Sequence, residues 1–542
     1  MRCLQADVVV VGSGIAGLYA AICCRQAGLR VLVCSKSRPG TGSCSALSQG
    51  HFRSRTGEFS KAEHRRLTLE AGQGLNQETL VDILVERARE AILRLKDFGV
   101  LLGEEERSFA SRPEKIGLEG RSITRPLTEW AQSRGVQFCS PFFAWEVLEL
   151  EGRAAGICGF FQAEAEPSLI LARTVILAAG GGGALYRWSD NPQGMSGDGY
   201  ALAYRAGLPL MDMEFVQFFP FTLAGSSRTS RLIPPVVAEI GTLSNARQEN
   251  VVEKYGITRR PLAVAARDQL SLAMAREQEA GLDVQGAFPF QVPEEEAVWR
   301  QAGEAFGVEG IEQLRSWVFT ISQGSGTLLV RPGAHFCMGG MLIDGLCRTA
   351  LTGLLAAGEI VGGLHGANRY GGNALTEAVV FADIAAGQAI QSMDDSLYNV
   401  VSTQRAAVQW AESRRSVLFD RQGLASQEQV SGLSEIRVRL QDLLWEKAGL
   451  IRSETGLLSA ESEIERLRYD LDGVGPGSGN LFQYFENRNR LLTAEMIVKS
   501  ARMRRESRGA HFRSDYPEPH PDWLGHITVQ KGAHGMQPEF AK

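Results

Sequence analysis

Gly12, Gly14 and Gly17 fall within Asp7-VVVVGSGIAGLYAAICC, and their spacing is the first chemistry the chain offers. The apolar run Val8 to Val11 reads as a buried parallel strand and the glycines as the tight turn after it. The Ala-rich stretch from Leu18 reads as a helix whose free N–H groups face a pyrophosphate. That pattern predicts a dinucleotide site. The next strand, Leu29-RVLVC, ends at Ser35-Lys36, where a nicotinamide fold would place Asp or Glu against the ribose. Neither carboxylate is there. Thr174-VILAAGGGGALY repeats the strand-then-glycine form, and Gly353-LLAAGEIVGG repeats it again. Three such segments point to one long cofactor crossed by distant loops, which suits FAD better than NAD.

The elements that must position these loops need a long chain. At 542 residues two or three domains are expected, and the 60 glycines exceed ordinary usage, the excess lying in the cofactor-type turns. A formal net charge of -5 without a long basic run argues against a nucleic-acid surface. The nine cysteines, at 3, 23, 24, 34, 44, 139, 158, 337 and 347, contain no CxxC pair. A disulfide framework and a cysteine-ligated iron-sulfur cluster are therefore not expected, and no metal ligand set is read. Cys23-Cys24 reads as core filling in a reducing setting. There is no apolar run long enough to span a membrane, and the N-terminus enters its first strand almost at once. The expectation is a cytoplasmic chain without a transmembrane segment, with docking at the inner face of a membrane through partner subunits left open.

The expected fold class is α/β: a Rossmann-like FAD-binding domain with an inserted capping domain and a C-terminal helical domain. Residues 1–230 and 334–400 are assigned to the FAD-binding domain, and 231–333, with their charged stretch Glu294 to Glu309, to the capping domain over the substrate. Residues 401–515 have helical periodicity interrupted by Asp472-GVGPGSGN, and 516–542, rich in Pro and His, read as an arm packing across the cofactor domain or a partner. Ala154-AGICGFFQA and Ser168-LILARTVILAAG predict a small hairpin feeding back into the main sheet, and Ala374-LTEAVVFADIAAGQAI a helix aimed at cofactor oxygens.

Several segments, in order along nearly the whole chain, resemble the flavoprotein subunits of the fumarate reductase, succinate dehydrogenase and L-aspartate oxidase family. They are Gly12-SGIAG, Ser43-CSALSQG, Asn191-PQGMSGDGYALAYRAGLPLMDMEFVQFFP, Arg267-Asp268, His335-FCMGG, Ala356-AGEIVGGLHGANRYGGNALTEAVVFA and Ser500-ARMRRESRGAHFRSDYP. In that family a hydride passes between flavin N5 and a substrate carbon while an arginine moves a proton on the opposite side of the C–C bond. The resemblance assigns that arginine to Arg267, in Leu262-AVAARDQLSLAM, and assigns His335 and Arg369 to the substrate carboxylate. Arginine is a poor acid in water and acts only when packed against the reacting carbon and tuned by its neighbours. A structural ion pair for Arg267, a core role for His335 and a flavin-loop role for Arg369 are the alternatives.

The resemblance also implies a set of cofactor contacts. Gly12, Gly14, Ile15, Ala16 and Gly17 would surround the pyrophosphate, and Ser35 and Lys36 the adenosine half. Ser43, Cys44, Ser45, Ser48, Gln49 and Gly50 would lie about the isoalloxazine, with Ala179, Gly180 and Asn191 from the second glycine stretch. Asp198 and Glu359 would accept hydroxyl protons, His365 would be a flavin or backbone partner, and Asn373, Ala374 and Leu375 would lie near the flavin pyrimidine.

Three departures bear on the substrate. The family's QFHPT segment is Gln217-FFPF here, so the histidine that helps hold a dicarboxylate is Phe219. Phenylalanine offers no donor to an oxyanion; Phe215, Phe218 and Phe221 stand near it in sequence, and an aromatic run filling a core is the other reading for those three. Relatives carry Thr-Glu ahead of RGEGG, whereas Leu232-IPPVVAEIGTLSN places Ile233 and either Pro234 or Pro235 there, with Glu239 close by as a candidate substitute. A site for two carboxylates stripped of donors leaves a charge unpaired, at roughly 1–3 kcal/mol or more. The histidine that carries covalent flavin in the quinone-coupled enzymes is Cys44, so noncovalent FAD is expected.

The leading expectation is an FAD-dependent oxidoreductase acting at an activated C=C or C–C bond of a mono-anionic or thioester substrate with a hydrophobic portion. A small dicarboxylate served by other donors, and a flavin electron-relay subunit with no carbon substrate, are the alternatives. An iron-sulfur electron-transfer subunit is the expected partner.

Overall fold

In the computed structural model of the chain, the strands that precede the three glycine loops lie side by side. The main sheet is parallel and runs Leu354–Ala356, Thr174–Leu177, Val8–Val11, Val31–Cys34, Gln137–Cys139. The structure describes every residue except 1, 58, 106, 114–118, 163–166, 226–228, 309, 395–404, 411, 413–426, 477–480 and 534. The start of the expected helical domain, the end of the charged stretch at 309 and the end of Asp472-GVGPGSGN thus lie outside the described residues.

Val8–Val11, Val31–Cys34 and Thr174–Leu177 are buried along their whole length, as parallel strands covered on both faces must be, which is why they read as unbroken apolar runs. Helix Ile15–Gln26 packs against Asn373–Gln391 and Arg121–Ser133, with the Cys23 and Cys24 thiols buried. The segment read as a hairpin is larger than expected. Phe142–Leu150 and Arg153–Phe161 pair over nine residues each, and Ser168–Leu171 and Arg2–Gln5 complete a separate four-stranded sheet before the chain re-enters the main sheet at Thr174.

A second apolar cluster, from Phe219 to Val330, forms around Trp299, Phe221, Phe290 and Leu270. It rests on a sheet in the order Val216–Leu223, Thr327–Cys337, Phe288–Gln291, Thr242–Leu243. The first two strands cross from one core to the other: Val216 and Phe218 belong to the main cluster, Phe219 and Phe221 to the second. Residues on this crossing pair therefore sit where the two cores meet.

Helices Gln427–Lys447, Glu454–Val474 and Leu481–Met503 pack on one another. The terminal segment read as an arm is a β-hairpin, His526–Gly532 with Gly535–Ala541, whose first strand pairs with Leu210–Met211. Buried Arg504 anchors it by contacting Glu214, Asp212 and Glu506 and donating to the carbonyls of Trp523 and Gly525.

Trp299 is fully buried and its Nε1 donates to Pro293 O at 2.8 Å. Trp299→Ala is expected to cost about 3–5 kcal/mol in the unfolding transition of the second cluster, read by denaturant titration; a cost below about 1 kcal/mol would show that this cluster is loosely packed.

Candidate active site

Gln217, on the crossing strand Val216–Leu223, organises two arginines. Its Oε1 accepts from Arg267 Nη1 at 3.0 Å and from Arg369 Nη2 at 2.9 Å. Its Nε2 donates to Asn368 Oδ1 at 2.6 Å and to Arg369 O at 3.1 Å, and Arg267 Nη2 donates to that same carbonyl at 3.1 Å. Both guanidinium groups are buried. Burial and then the charge of Arg369 push the Arg267 pKa down to about 9. Burial pushes Arg369 down to about 10, opposed by Glu359, Glu377 and Asp190.

His335 reaches the same place from the partner strand. Gln217 pairs with Phe336 and Phe218 with Ala334, so His335 is the extra residue of a β-bulge, a device that re-aims a side chain. Its Nδ1 lies 2.6 Å from Asp190 Oδ2, while Asn191 Nδ2 donates to Asp190 Oδ1 at 2.9 Å and to His335 O at 3.0 Å. Burial lowers the His335 pKa, Asp190 opposes, and Arg369 and Arg267 add to the lowering, so both guanidinium charges disfavour a protonated imidazole.

Phe219 faces this group, its ring 5.5 Å from the His335 imidazole and tilted by 43°. The neighbouring phenylalanines do other work: Phe218 packs on Tyr186 and Trp445, Phe221 on Phe290, and Phe215 on His511. Ile233 is buried and donates its N–H to Phe221 O at 2.9 Å, with Pro234 and Pro235 leading into helix Pro235–Ile240. Glu239 does not reach Arg267. Its Oε2 accepts the Leu262 N–H at 2.8 Å and its Oε1 pairs with Arg260 Nε at 2.9 Å. The expected substitute for the missing carboxylate is thus a helix-start cap and surface ion pair instead.

The glycine loops fit a long dinucleotide. Gly12 has φ +117, and a Cβ there would meet Ala178 O at 2.1 Å; a Cβ on Gly17 would meet Gly12 O at 2.1 Å. Helices Ile15–Gln26 and Asn373–Gln391 both follow a glycine, Gly14 and Gly372, that supplies no side-chain cap; the Ile15 N–H goes to Ser45 Oγ, and the first-turn N–H groups of Ala16, Ala374 and Leu375 lie at positive helix ends. Buried polar atoms without a protein partner include Gln49 Nε2, His365 Nδ1 and Arg369 Nε, from the segments that should line the flavin. These donors and the open helix ends suit FAD.

The other candidate contacts divide in use. Ser43 caps helix Cys44–Leu47, Ser45 Oγ accepts the Ile15 N–H at 3.1 Å, and Ser48 Oγ donates to Ser45 O at 2.8 Å, so these serines shape the loop. Gly50 (φ +72) and Gly180 (φ +74) hold left-handed turns, Ala179 adjoining the latter. Ser35 Oγ donates to Ser37 O at 2.6 Å. Lys36 contacts Asp198 and lies 2.7 Å from Glu486 Oε1, and Asn489 Nδ2 donates to Asp198 Oδ1 at 2.7 Å, so Lys36 and Asp198 engage each other. Cys44 Sγ donates to Asn191 Oδ1 at 3.1 Å, and burial raises its pKa well above the thiol range. Asn373 turns its side chain to His64 and Thr68, and its N–H donates to Tyr370 O at 3.3 Å. His365 Nε2 is 2.9 Å from Glu377 Oε2. Glu359 Oε1 accepts the Cys337 N–H at 3.1 Å, and burial lifts its pKa to about 7.

Two positioning residues escaped the motif reading. Gln217 is flanked by phenylalanines that draw the eye to aromatic packing, and Asp190 precedes Asn191 with nothing in the chain linking it to His335. Only Gln217 had a usable signal, a lone amide in an aromatic run.

Because Glu359 binds its proton more tightly folded than unfolded, it stabilises fully below about pH 4 and loses that contribution as pH rises to about 7. Glu359→Gln is expected to make the flavin-free protein more stable at pH 8 by up to about 3 kcal/mol, with the gap closing by pH 5. Equal stabilities across that range would show that the carboxyl ionises freely.

Residues 7–375 match the FAD binding domain family, and 437–541 match the fumarate reductase flavoprotein C-terminal family. The chain is 31% identical to an uncharacterised FAD-dependent oxidoreductase of Methanocaldococcus jannaschii, over 97% of this chain and 96% of that protein. It is 32% identical to an L-aspartate oxidase of Streptomyces coelicolor, over 97% and 92%. A quinol fumarate reductase chain of E. coli superimposes with a TM-score of 0.86 at 25% identity, covering 100% of this chain and 97% of that one.

Proposed function

Since the chain belongs to the FAD-binding flavoprotein family of fumarate reductases, succinate dehydrogenases and L-aspartate oxidases, we propose that it is an oxidoreductase of CH–CH bonds whose substrate is not a small dicarboxylate. The substrate class we infer is a mono-anionic acid or acyl thioester with an apolar portion next to the reacting carbons. The observation that carries this reading is Phe219 packed against His335, with Ile233 and either Pro234 or Pro235 where the relatives have Thr-Glu.

Bound FAD, held noncovalently by the glycine loops and the two helix starts, supplies two-electron hydride chemistry. The chain's own residues do the rest. Arg369, whose buried Nε has no partner among the described residues, and His335, oriented by Asp190, bind the carboxylate of a mono-anionic substrate or the carbonyl oxygen of a thioester. Arg267 holds a proton whose pKa near 9 is low for a guanidinium, and transfers it to the substrate carbon in the reductive direction. Gln217 fixes the Nη1 edge of Arg267 so that the proton is presented in one orientation. Phe219 excludes water and offers no donor for a second carboxylate.

The burial of the Cys44 thiol in un-ionised form supports noncovalent flavin. Among the described residues no group of His, Cys, Asp or Glu is arranged to hold a metal, and no helix is long and apolar enough to cross a membrane. An iron-sulfur partner subunit is accordingly our proposed route for electrons, and a cytoplasmic complex, docked at a membrane through its partners, our proposed setting.

Arg267→Ala is expected to keep the yellow cofactor and lose about 10²–10⁴-fold in turnover. In steady-state assays with fumarate, succinate, aspartate and aromatic or alicyclic enoyl thioesters, only the thioesters or their free acids are expected to turn over well. Brisk wild-type turnover of fumarate would overturn the substrate class. Phe219→His, which restores a donor beside His335, should improve fumarate binding.

A further inference from the structure

We propose that Arg331 and Trp188, with Arg187 at their edge, form a second anion subsite for the distal charged end of an elongated substrate whose reacting end lies at Arg267, His335 and Arg369. The inference rests on the reading of that reacting end given above.

Arg331 lies on strand Thr327–Cys337 and is only 5% exposed. Its Cζ sits 3.2 Å from the centroid of the Trp188 ring, its Nη2 donates to Gly225 O at 3.2 Å, and its Nε is buried without a partner. Among the described residues no carboxylate pairs with it. Burial and the like charge of Arg187 push its pKa down to about 10. Arg187 itself is exposed, reaches over the same indole at 5.1 Å and pairs with Asp442 at 3.3 Å. A buried cation without a counter-charge is costly, and contact with an indole face recovers only part of that cost. An anion supplied from outside the chain would recover more.

The place of this pair sets the kind of anion. The segment carrying Trp188 and Asp190 lies along the strand carrying Arg331 and His335. Ala334 N donates to Trp188 O at 2.9 Å, Ser189 Oγ donates to Ala334 O at 2.7 Å, and Asp190 holds His335 at 2.6 Å. The same two stretches thus build both the Asp190–His335 pair and the Trp188–Arg331 pair. Trp188 and Asp190 are separated by about 7 Å of extended chain, and Arg331 and His335 by about 13 Å of strand. A substrate anchored by its carboxylate or thioester carbonyl oxygen at Arg369 and His335 therefore meets a second cation one chain-length away, past the apolar surface of Phe219. The distal group is a phosphate on a thioester arm or the far carboxylate of a long acid; both present the same oxyanion chemistry to a guanidinium.

The test uses the FAD-loaded full chain and measures binding from the visible flavin spectrum and by calorimetry with hexanoate, octanedioate and hexanoyl-coenzyme A. The wild type is expected to bind octanedioate, hexanoyl-coenzyme A or both at least tenfold more tightly than hexanoate, and the probe that shows the gain identifies the source of the anion. Arg331→Gln should erase that gain while leaving hexanoate within twofold, and Trp188→Leu, which removes the ring under the guanidinium, should reduce it at least threefold. No gain in the wild type, or a gain that survives both substitutions, overturns the subsite without touching the reacting end. Hexanoate binding unchanged by Arg369→Gln would instead overturn the reading of the reacting end, and the subsite with it.

Discussion

Two buried guanidinium groups meet at one amide oxygen, and much of the site's geometry follows from that meeting. Arg267 and Arg369 repel each other and both lose hydration, yet Gln217 Oε1 accepts from each and the Arg369 carbonyl accepts from Arg267 again. The arrangement is tolerable because acidic groups stand around Arg369, with Glu359, Glu377 and Asp190 all raising its pKa against burial. Arg267 has weaker compensation and its pKa falls further, to about 9. In the proposed function that difference separates an anion-holding arginine from a proton-transferring one, although the two residue types are identical.

Holding these groups requires two cores rather than one. Strands Val216–Leu223 and Thr327–Cys337 leave the main core and enter the second, and the bulge at His335 falls near the crossing, beside Gln217. Interiors are close-packed and deform little, so side chains anchored in both cores have little room to drift. Phe219 and Arg267 enter the site from the second cluster, where Leu270, Ala273 and Met274 of the Arg267 helix pack, and Arg369 enters from the loop ahead of helix Asn373–Gln391, so two packing units meet at the site.

What was legible varied with the range of the interaction. The glycine loops could be read locally, because a tight turn, a close backbone approach and an uncapped helix start leave residue types at fixed spacing. The roles of individual polar side chains could not. Asn373 stands in a flavin-loop motif, yet its side chain bonds to His64 and Thr68, and Glu239 stands near the missing carboxylate in the chain, yet it caps the start of Leu262–Ala265. In both cases a partner distant in sequence took the polar atoms. The four phenylalanines around Gln217 look alike in the chain, and only packing separates Phe219, against His335, from three that fill cores.

Order along the chain was enough to determine the parallel nucleotide-binding sheet and its FAD-type loops, since these depend on local backbone needs, while Arg267, His335 and Arg369 stand out in the chain only through resemblance to the family. Tertiary structure alone decided which arginine is the more acidic, which phenylalanine faces the site, where Glu239 points and that Arg331 is buried without a counter-charge among the described residues. Each of those depends on desolvation and on through-space neighbours, which residue spacing does not encode.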